Sequence, residues 1–487
     1  VTRRAIELVW PGKDDPVDLA PTSPTSLSTV ERHGDAASPN VLVHGDNLDA
    51  MRAWLATHEG KVDLVAIDPP FATNLHYYAQ TDAGDERVER HAYADRGGSG
   101  LADYLSAMRP RLMLIHRLLG PEGKLFLHCD WRANALLRVL LDEIFGPDCF
   151  RNEIVWRRAP NLGRQAAARQ LGRVVDSIFV YSKSPGAPFR GEAPRKSTPV
   201  PLDRHGKPRG ARWDDAAEAY FTTAPRGDYT DKSIAELRAQ NRVYDSSAGK
   251  VYIKYFLRQD EGGRWVKDQP VDTLWDDYEV RPLRHRPKGE EMGYDTQKPE
   301  GLLERIVRWA TRPGDLVLDV YAGSGTTLAV AERLGRRWLG CDVGEASIAI
   351  VRRRLLGLER PASFRIVRPL SAASDGVTYG GATATVRVHE GADGVRLELA
   401  SVEGQARALR GATKALGWAE SVDAWMVDYA PSEVFAPTFV AHRTRRGTVA
   451  LETPPVPRAR LGARARVVVH TVYGASAVVD VPLGGEP

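Results

Sequence analysis

Two stretches of this 487-residue chain combine residue types that could do chemistry. The first is Val62-Asp-Leu-Val-Ala-Ile-Asp-Pro-Pro-Phe71. Five apolar residues between Val62 and Ile67 read as a buried strand of a parallel sheet. The run stops at Asp68, and Pro69 and Pro70 cannot extend a central strand. A carboxylate, a stiff turn and the ring of Phe71 thus stand at the carboxyl end of a strand, where open α/β sheets bind ligands. By itself the tetrapeptide fits a simple strand-ending turn equally well. The second stretch is Asp319-Val-Tyr-Ala-Gly-Ser-Gly-Thr-Thr327, which reads as a strand end, a glycine loop and a helix start. Asp342 closes the next strand 23 residues after Asp319. Glycines let backbone approach a ligand, and an acid at that spacing can hold ribose hydroxyls. The dinucleotide fingerprint asks for a third glycine where Leu328 stands, which disfavours a dehydrogenase.

The elements that must position these residues follow from the pattern along the chain. Residues 1–40 are polar and carry Pro16, Pro21, Pro24 and Pro39, so they read as a loosely ordered arm. Residues 41–156 alternate strand and helix: strands end at Asp46, Asp68 and Asp130, and helices span Leu48 to His58, Leu101 to Leu119 and Ala133 to Phe145. That order specifies a parallel sheet with helical crossovers. Within it, residues 72–100 are polar and glycine-rich and read as a mobile lid over the site. Residues 157–290 break the rhythm. Aromatics from Trp213 to Trp275 are interleaved there with basic residues, a composition that suits phosphate contacts plus base stacking, or a small aromatic-cored insert. The rhythm returns over 291–360. Beyond it, period-two runs such as Thr383 to His389 and Ala424 to Tyr429, with another expected at Gly376-Val-Thr-Tyr379, argue for a β-rich domain over 361–487.

Composition narrows the class. Apolar residues make up 43% and charged residues 27%, the balance of a globular protein. No apolar run approaches the roughly 18 residues of a membrane span, and no secretory signal is read between Val1 and Trp10. Cys129, Cys149 and Cys341 are too few and too scattered for a disulfide framework or a zinc site, which suggests the cytoplasm and no metal. The net charge is +4, yet Arg151 to Glu290 holds 27 Lys/Arg against 19 Asp/Glu, which hints at a polyanionic partner.

Taken together, the motifs resemble DNA amino-methyltransferases of the permuted, β-type order, including type III modification subunits. The resemblance rests on Gly45-Asp46-Asn47, Asp68-Pro-Pro-Phe71, Gly123 to Asp130, Thr296-Gln-Lys-Pro299 and Asp319 to Thr327, in that order, and covers roughly residues 40–360. It implies a Rossmann-like α/β fold that binds S-adenosyl-L-methionine. The catalytic half would lie at 41–156, a target-recognition region at 157–290 and the cofactor half at 291–360. It implies that Asp46, Lys298, Asp319, Tyr321, Ala322, Gly323, Ser324, Gly325, Thr326 and Asp342 border the cofactor, and that Asp68, Pro69, Pro70 and Phe71 hold the target base. Ala72 departs from the asparagine that many relatives carry after the aromatic residue.

These residue types suit the reaction. An exocyclic amino nitrogen is a poor nucleophile because its lone pair is delocalised into the ring. The Asp68 carboxylate and the Pro69 carbonyl can each accept one N–H and favour a pyramidal nitrogen, and fixed acceptors help where positive charge develops. Prolines fix φ and add no donor. Phe71 offers a face for a base flipped out of the duplex. The resemblance implies adenine N6 as the acceptor, because family members with aspartate before the prolines, as at Asp68, lean towards adenine and those with serine towards cytosine. Cytosine-N4 or RNA methylation, and a non-catalytic DNA-binding module, share the fold. The expected partners are double-stranded DNA, a restriction or helicase subunit docked on the C-terminal domain, and a second copy of the chain.

Overall fold

The computed structural model describes residues 6–71, 73, 75–83, 86–95, 100–159, 171–260, 262–282, 290–370, 381–404, 416–443 and 448–483. Two compact units are present, Val1–Gly191 with Val280–Pro487, and Glu192–Glu279.

The larger unit begins with β1 (Leu27–His33), β2 (Val41–His44), α1 (Asn47–His58) and β3 (Val62–Ile67). The hairpin β4 (His76–Ala83) and β5 (Glu86–Ala94) follows, then α2 (Leu101–Leu118), β6 (Leu119–Cys129), α3 (Asn134–Phe145), β7 (Phe150–Arg157) and β8 (Val175–Ser182). The smaller unit contains β9 (Arg195–Pro199), β10 (Arg212–Asp214), β11 (Ala219–Pro225), α4 (Asp231–Ala239), β12 (Val243–Asp245), β13 (Val251–Gln259), β14 (Trp265–Pro270) and β15 (Leu274–Trp275). The larger unit resumes with α5 (Glu300–Ala310), β16 (Leu316–Asp319), α6 (Thr326–Arg333), β17 (Arg337–Asp342), α7 (Glu345–Leu356) and β18 (Phe364–Pro369). It ends in β19 (Ala382–Gly391), β20 (Gly394–Gly404), β21 (Val422–Asp428), β22 (Phe439–His442), β23 (Arg464–Thr471) and β24 (Ser476–Pro482).

The central sheet of the larger unit runs β1-β18-β2-β17-β16-β3-β6-β8-β7. The stretch from β18 to β6 is parallel, and β1, β8 and β7 add antiparallel flanks. Alternation along β6 shows why these strands are apolar throughout. Leu125 and Leu127 join the core made with Met51, Trp54, Ile115 and Leu140 on one face. Phe126, between them, meets Trp309 of α5 edge-on at 5.8 Å on the other. With both faces covered by helices, most positions of the central strands are buried. Parallel pairing also brings the ends of β2, β3, β6, β16 and β17 to one edge. Because Val317 pairs with Leu64, the glycine loop after β16 lies beside Asp68, although Asp319 follows Asp68 by 251 residues.

Three elements differ from the expectation. Part of the supposed N-terminal arm is β1, an edge strand paired with β18. Its buried Glu31 bridges Arg352 at 2.8 Å and His33 at 2.5 Å, so charge pairing fixes a segment whose proline content suggested disorder. Most of the expected lid, residues 72–100, is the β4–β5 hairpin, whose strands pair from His76 with Ala94 to Ala83 with Glu86. The central sheet takes in β18, beyond the end of the expected cofactor half. The C-terminal strands form the hairpin β19–β20 and the sheet β22-β21-β23-β24 around Val395, Leu397, Trp425, Val467 and Val469. The run at Gly376-Val-Thr-Tyr379 lies outside the described residues.

The smaller unit is an antiparallel sheet, β10-β11-β13-β14-β9 with β12 on β13, packed with α4 around Ile234, Val243 and Ile253. Its charge balance is a correction. Glu192–Glu279 holds 15 Lys/Arg against 16 Asp/Glu, so the positive excess of the middle region belongs to its flanks, 151–191 and 280–290. Many cations of the unit are already paired, as in Lys254–Asp214, Lys196–Asp272, Arg238–Asp245 and Arg258–Asp268.

Candidate functional site

The sheet edge opens into a cavity of about 520 Å³, within the usual range for small-molecule sites. Its wall includes Asp46, Asp68, Pro70, Lys298, Asp319, Tyr321, Ala322, Gly323, Ser324, Thr326 and Asp342. Residues expected to act from both motifs therefore share one wall. Pro69 is buried, and Pro69, Phe71 and Gly325 do not line the cavity. Gly325 opens α6 with φ +71°, and a Cβ there would press on Val351 at 3.0 Å. Gly323 also has positive φ, with the Tyr294 ring 3.4 Å from where its Cβ would stand. Both conditions favour glycine. Ala72 lies outside the described residues.

Asp342 holds the glycine loop through its own oxygens: Oδ2 accepts the Gly323 N–H at 2.8 Å and Oδ1 the Gly344 N–H at 2.8 Å. Ser347 donates to the Gly323 carbonyl at 2.5 Å. Asp319 accepts the Tyr321 N–H at 3.0 Å. Burial pushes the Asp319 carboxyl up to about 7; its hydrogen bonds from Thr327 and Tyr321 oppose this, and the nearby Asp68 and Asp342 add to it. Burial also raises Asp342, against the N–H groups it accepts. Asp46 caps α1 by accepting the Leu48 N–H at 2.7 Å and pairs with Arg111 at 3.2 Å. Arg111 also donates to Asn47 at 2.6 Å, and Asn47 donates to the Val320 carbonyl at 3.0 Å, so this cap is tied to the glycine loop.

Asp68 is held by a histidine and a lysine from other strands and segments. His128 Nδ1 lies 2.5 Å from its Oδ1, and Lys298 Nζ contacts its Oδ2. Burial would raise the Asp68 carboxyl, but Lys298 and His128 outweigh that and bring it down to about 2. On the far side of the imidazole, His128 Nε2 lies 3.1 Å from Asp176, which in turn accepts from Arg158 at 2.8 Å. Burial lowers His128, yet the carboxylates on either side leave it raised. Phe71 packs edge-on against the His128 ring, centroids 5.1 Å apart, with Lys298 Nζ 5.9 Å from its centroid.

The residues missed in the sequence are those that orient the expected ones. His128 lies inside the strand motif Gly123 to Asp130, and its signal was its place two residues before the acid that closes the motif. Asp176 comes from β8, and Asp95 accepts from Phe71 N and Thr73 N at 3.0 Å each. No local pattern marks either. Tyr93 and Tyr294 complete the wall.

A family model described as DNA methylase matches residues 62–353, more than half of the chain. The chain belongs to the DNA methylase family. Among curated relatives, the type II methyltransferase M.EcaI of Enterobacter cloacae is 27% identical over 69% of this chain and 75% of its own length. The type III StyLTI Mod subunit of Salmonella typhimurium is 27% identical over 63% of this chain and 53% of its own. The probable HindVI Mod subunit of Haemophilus influenzae is 24% identical over 65% and 50%. The chain thus spans about half the length of these two Mod subunits. Among solved structures, M1.HpyAVI with SAM is 16% identical over 65% of this chain and 98% of its own, with a TM-score of 0.35. As a DNA methylase this protein takes its methyl group from S-adenosylmethionine. The cavity fits that molecule in size, in its glycine-lined wall and in its carboxylates, which suit a cationic, ribose-bearing ligand. Among the described residues, no helix is long and apolar enough to cross a membrane.

Proposed function

We propose that this DNA methylase transfers the methyl group to the exocyclic N6 of adenine in duplex DNA, on a base flipped into the cavity beside Asp68. One observation carries the reading: Asp68, held as an anion by His128 and Lys298, shares a cavity wall with the glycine loop. S-adenosylmethionine supplies an electrophilic methyl on a sulfonium. The glycine loop and Asp342 would hold its nucleoside end, and Asp319 and Tyr321 line the same cavity as Asp68.

With its carboxyl near 2, Asp68 is a poor base and a good fixed acceptor. It accepts one amino N–H, the Pro69 carbonyl accepts the other, and the nitrogen lone pair is freed towards the methyl group. Lys298 occupies one Asp68 oxygen and must share or yield it when the base enters. The proton leaves to solvent only after methylation has made the nitrogen acidic, Asp68 accepting its hydrogen bond until then. Phe71, fixed edge-on to His128, borders the base.

The sheet edge also supports DNA as the partner. β6 is antiparallel to β8, and β8 to β7, so Trp131, Arg157 and Arg173 stand at the same edge as Asp68. Trp131 is 44% exposed, and the Arg173 guanidinium stacks on it at 3.7 Å. An exposed aromatic ring among guanidiniums suits phosphate and base contacts. Residues 192–279, with exposed Trp213 and Tyr229, serve in this reading as the sequence-reading part. The names of the type III relatives support a restriction–modification role with a restriction subunit as partner, and DNA as the substrate suits the cytoplasm.

The test is methylation-sensitive long-read sequencing of DNA from cells expressing the chain or its Asp68→Ala variant. N6-methyladenine at a defined motif, absent with Asp68→Ala, is expected. Methyl groups on cytosine N4 would replace the base assignment, and unmodified DNA would leave a binding module.

A further inference from the structure

The β4–β5 hairpin joins three parts of the larger unit. Asp95, directly after β5 and 2% exposed, accepts through one oxygen from the Phe71 N–H, the Thr73 N–H, both at 3.0 Å, and the Thr73 hydroxyl at 2.7 Å. A buried carboxylate is tolerated when donors converge on it, and here the donors are two backbone N–H groups and one hydroxyl of the segment that follows Asp68-Pro69-Pro70. β4 holds the other motif. Gln80 N–H donates to the Gly293 carbonyl at 2.5 Å, and Tyr78 exchanges hydrogen bonds with Asp295, three residues before Lys298.

The third attachment is to the C-terminal domain. Arg90 of β5, 9% exposed, pairs with the buried Asp423 of β21 at 3.4 Å, and Arg353 of α7 approaches the same carboxylate at 3.7 Å. Ala83 and Val88 pack with Val472, next to β23. The strand that leads into Asp95 is thus clamped at Arg90, five residues before it, by a domain that supplies no described residue to the cavity wall.

We propose that Asp95 is a positioning residue for methyl transfer and that the C-terminal domain sets it through the Arg90–Asp423 pair. The proposal rests on the function given above for Asp68. The domain acts on the reaction through β5: Asp423 fixes Arg90, β5 fixes Asp95, and Asp95 fixes the backbone of Phe71 and Thr73 that carries the Asp68 turn. A small displacement of an aligned acceptor is enough to cost up to about a hundredfold in rate.

The test uses the full chain as wild type, Asp95→Ala, Asp95→Asn, Asp423→Ala and the double variant Asp95→Ala with Asp423→Ala. One readout is hydrogen–deuterium exchange of a peptide spanning Phe71 to Thr73, which needs no activity. The other is transfer of labelled methyl from S-adenosylmethionine to unmethylated mixed-sequence genomic DNA, with kcat and KM separated. Asp95→Ala should speed exchange at those amides about tenfold or more and lower kcat roughly ten- to a hundredfold, with KM for the methyl donor within about threefold. Asp95→Asn, which keeps an acceptor, should recover part of kcat. Asp423→Ala should speed exchange at the same amides, and the double variant should lose no more kcat than Asp95→Ala alone. Unchanged exchange in either single variant, or additive losses in the double variant, would overturn the proposal. If Asp95→Ala does not fold, Asp95→Asn and Asp423→Ala decide through the same exchange. A wild type that transfers no methyl would refute the function above, while the exchange data would still decide the coupling.

Discussion

Lys298, just before α5, places its ammonium on the Oδ2 of Asp68, just after β3. The two residues are 230 positions apart, and their pairing keeps Asp68 ionised well below neutral pH. The sign of the linkage is that of a depressed acid. The stabilisation is present above the ordinary carboxyl value and lost as pH falls through about 2.

Replacing Lys298 with methionine should raise the Asp68 carboxyl, since burial remains and only His128 opposes it. The acid limb of kcat/KM should move up by roughly 1–2 pH units relative to wild type. The destabilisation relative to wild type should be largest above pH 4 and fade towards pH 2. Rate profiles and thermal melts between pH 3 and 8 check both.

Asp319 has the opposite sign. Its folded-state value of about 7 lies above the ordinary carboxyl value of about 3.9. The contribution of this group to stability is therefore full below about 3.9 and is lost as pH rises through about 7, by on the order of a few kcal/mol. Asp319→Asn should flatten that decline in urea melts. A cationic ligand favours the carboxylate, so affinity for S-adenosylmethionine should rise with pH up to about 7 in the wild type and stay flat in the variant. Calorimetric titration across pH measures this.

Gly325 and Gly60 separate strain from contact. Both have positive φ, +71° and +69°, but a Cβ at Gly60 meets nothing within 4 Å, whereas at Gly325 it meets Val351 at 3.0 Å. Gly60→Ala should cost about 1 kcal/mol of stability and leave binding unchanged. Gly325→Ala should cost more, about 2–3 kcal/mol, and weaken methyl-donor binding at least about tenfold. Denaturant melts and a binding titration give the comparison.

Arg157 and Arg173 test where the phosphate backbone lies. Replacing both with glutamine should weaken DNA binding and reduce the slope of log affinity against log salt by about 2. Arg238→Gln, in a unit without excess positive charge and already paired with Asp245, should leave the slope unchanged. Fluorescence anisotropy at several salt concentrations distinguishes the two surfaces.

The sequence alone determined that Asp68, Asp319 and Asp342 close buried strands, that a glycine loop opens a helix, and that the motif order is permuted. Those features are local. A strand buried on both faces is apolar at every position, a sharp turn demands proline or glycine, and each leaves its mark within a few residues. The tertiary structure alone decided what surrounds Asp68. His128 reaches it because β6 lies beside β3, and Asp176 reaches His128 because β8 runs antiparallel along β6. Lys298, read as a neighbour of the methyl donor, turned out to hold Asp68 as well. The supposed lid became a hairpin, because its strand pairing and its Asp95, Arg90 and Asp423 contacts depend on groups remote in sequence. Strand order and register are settled by long-range packing, which periodicity along one segment cannot report.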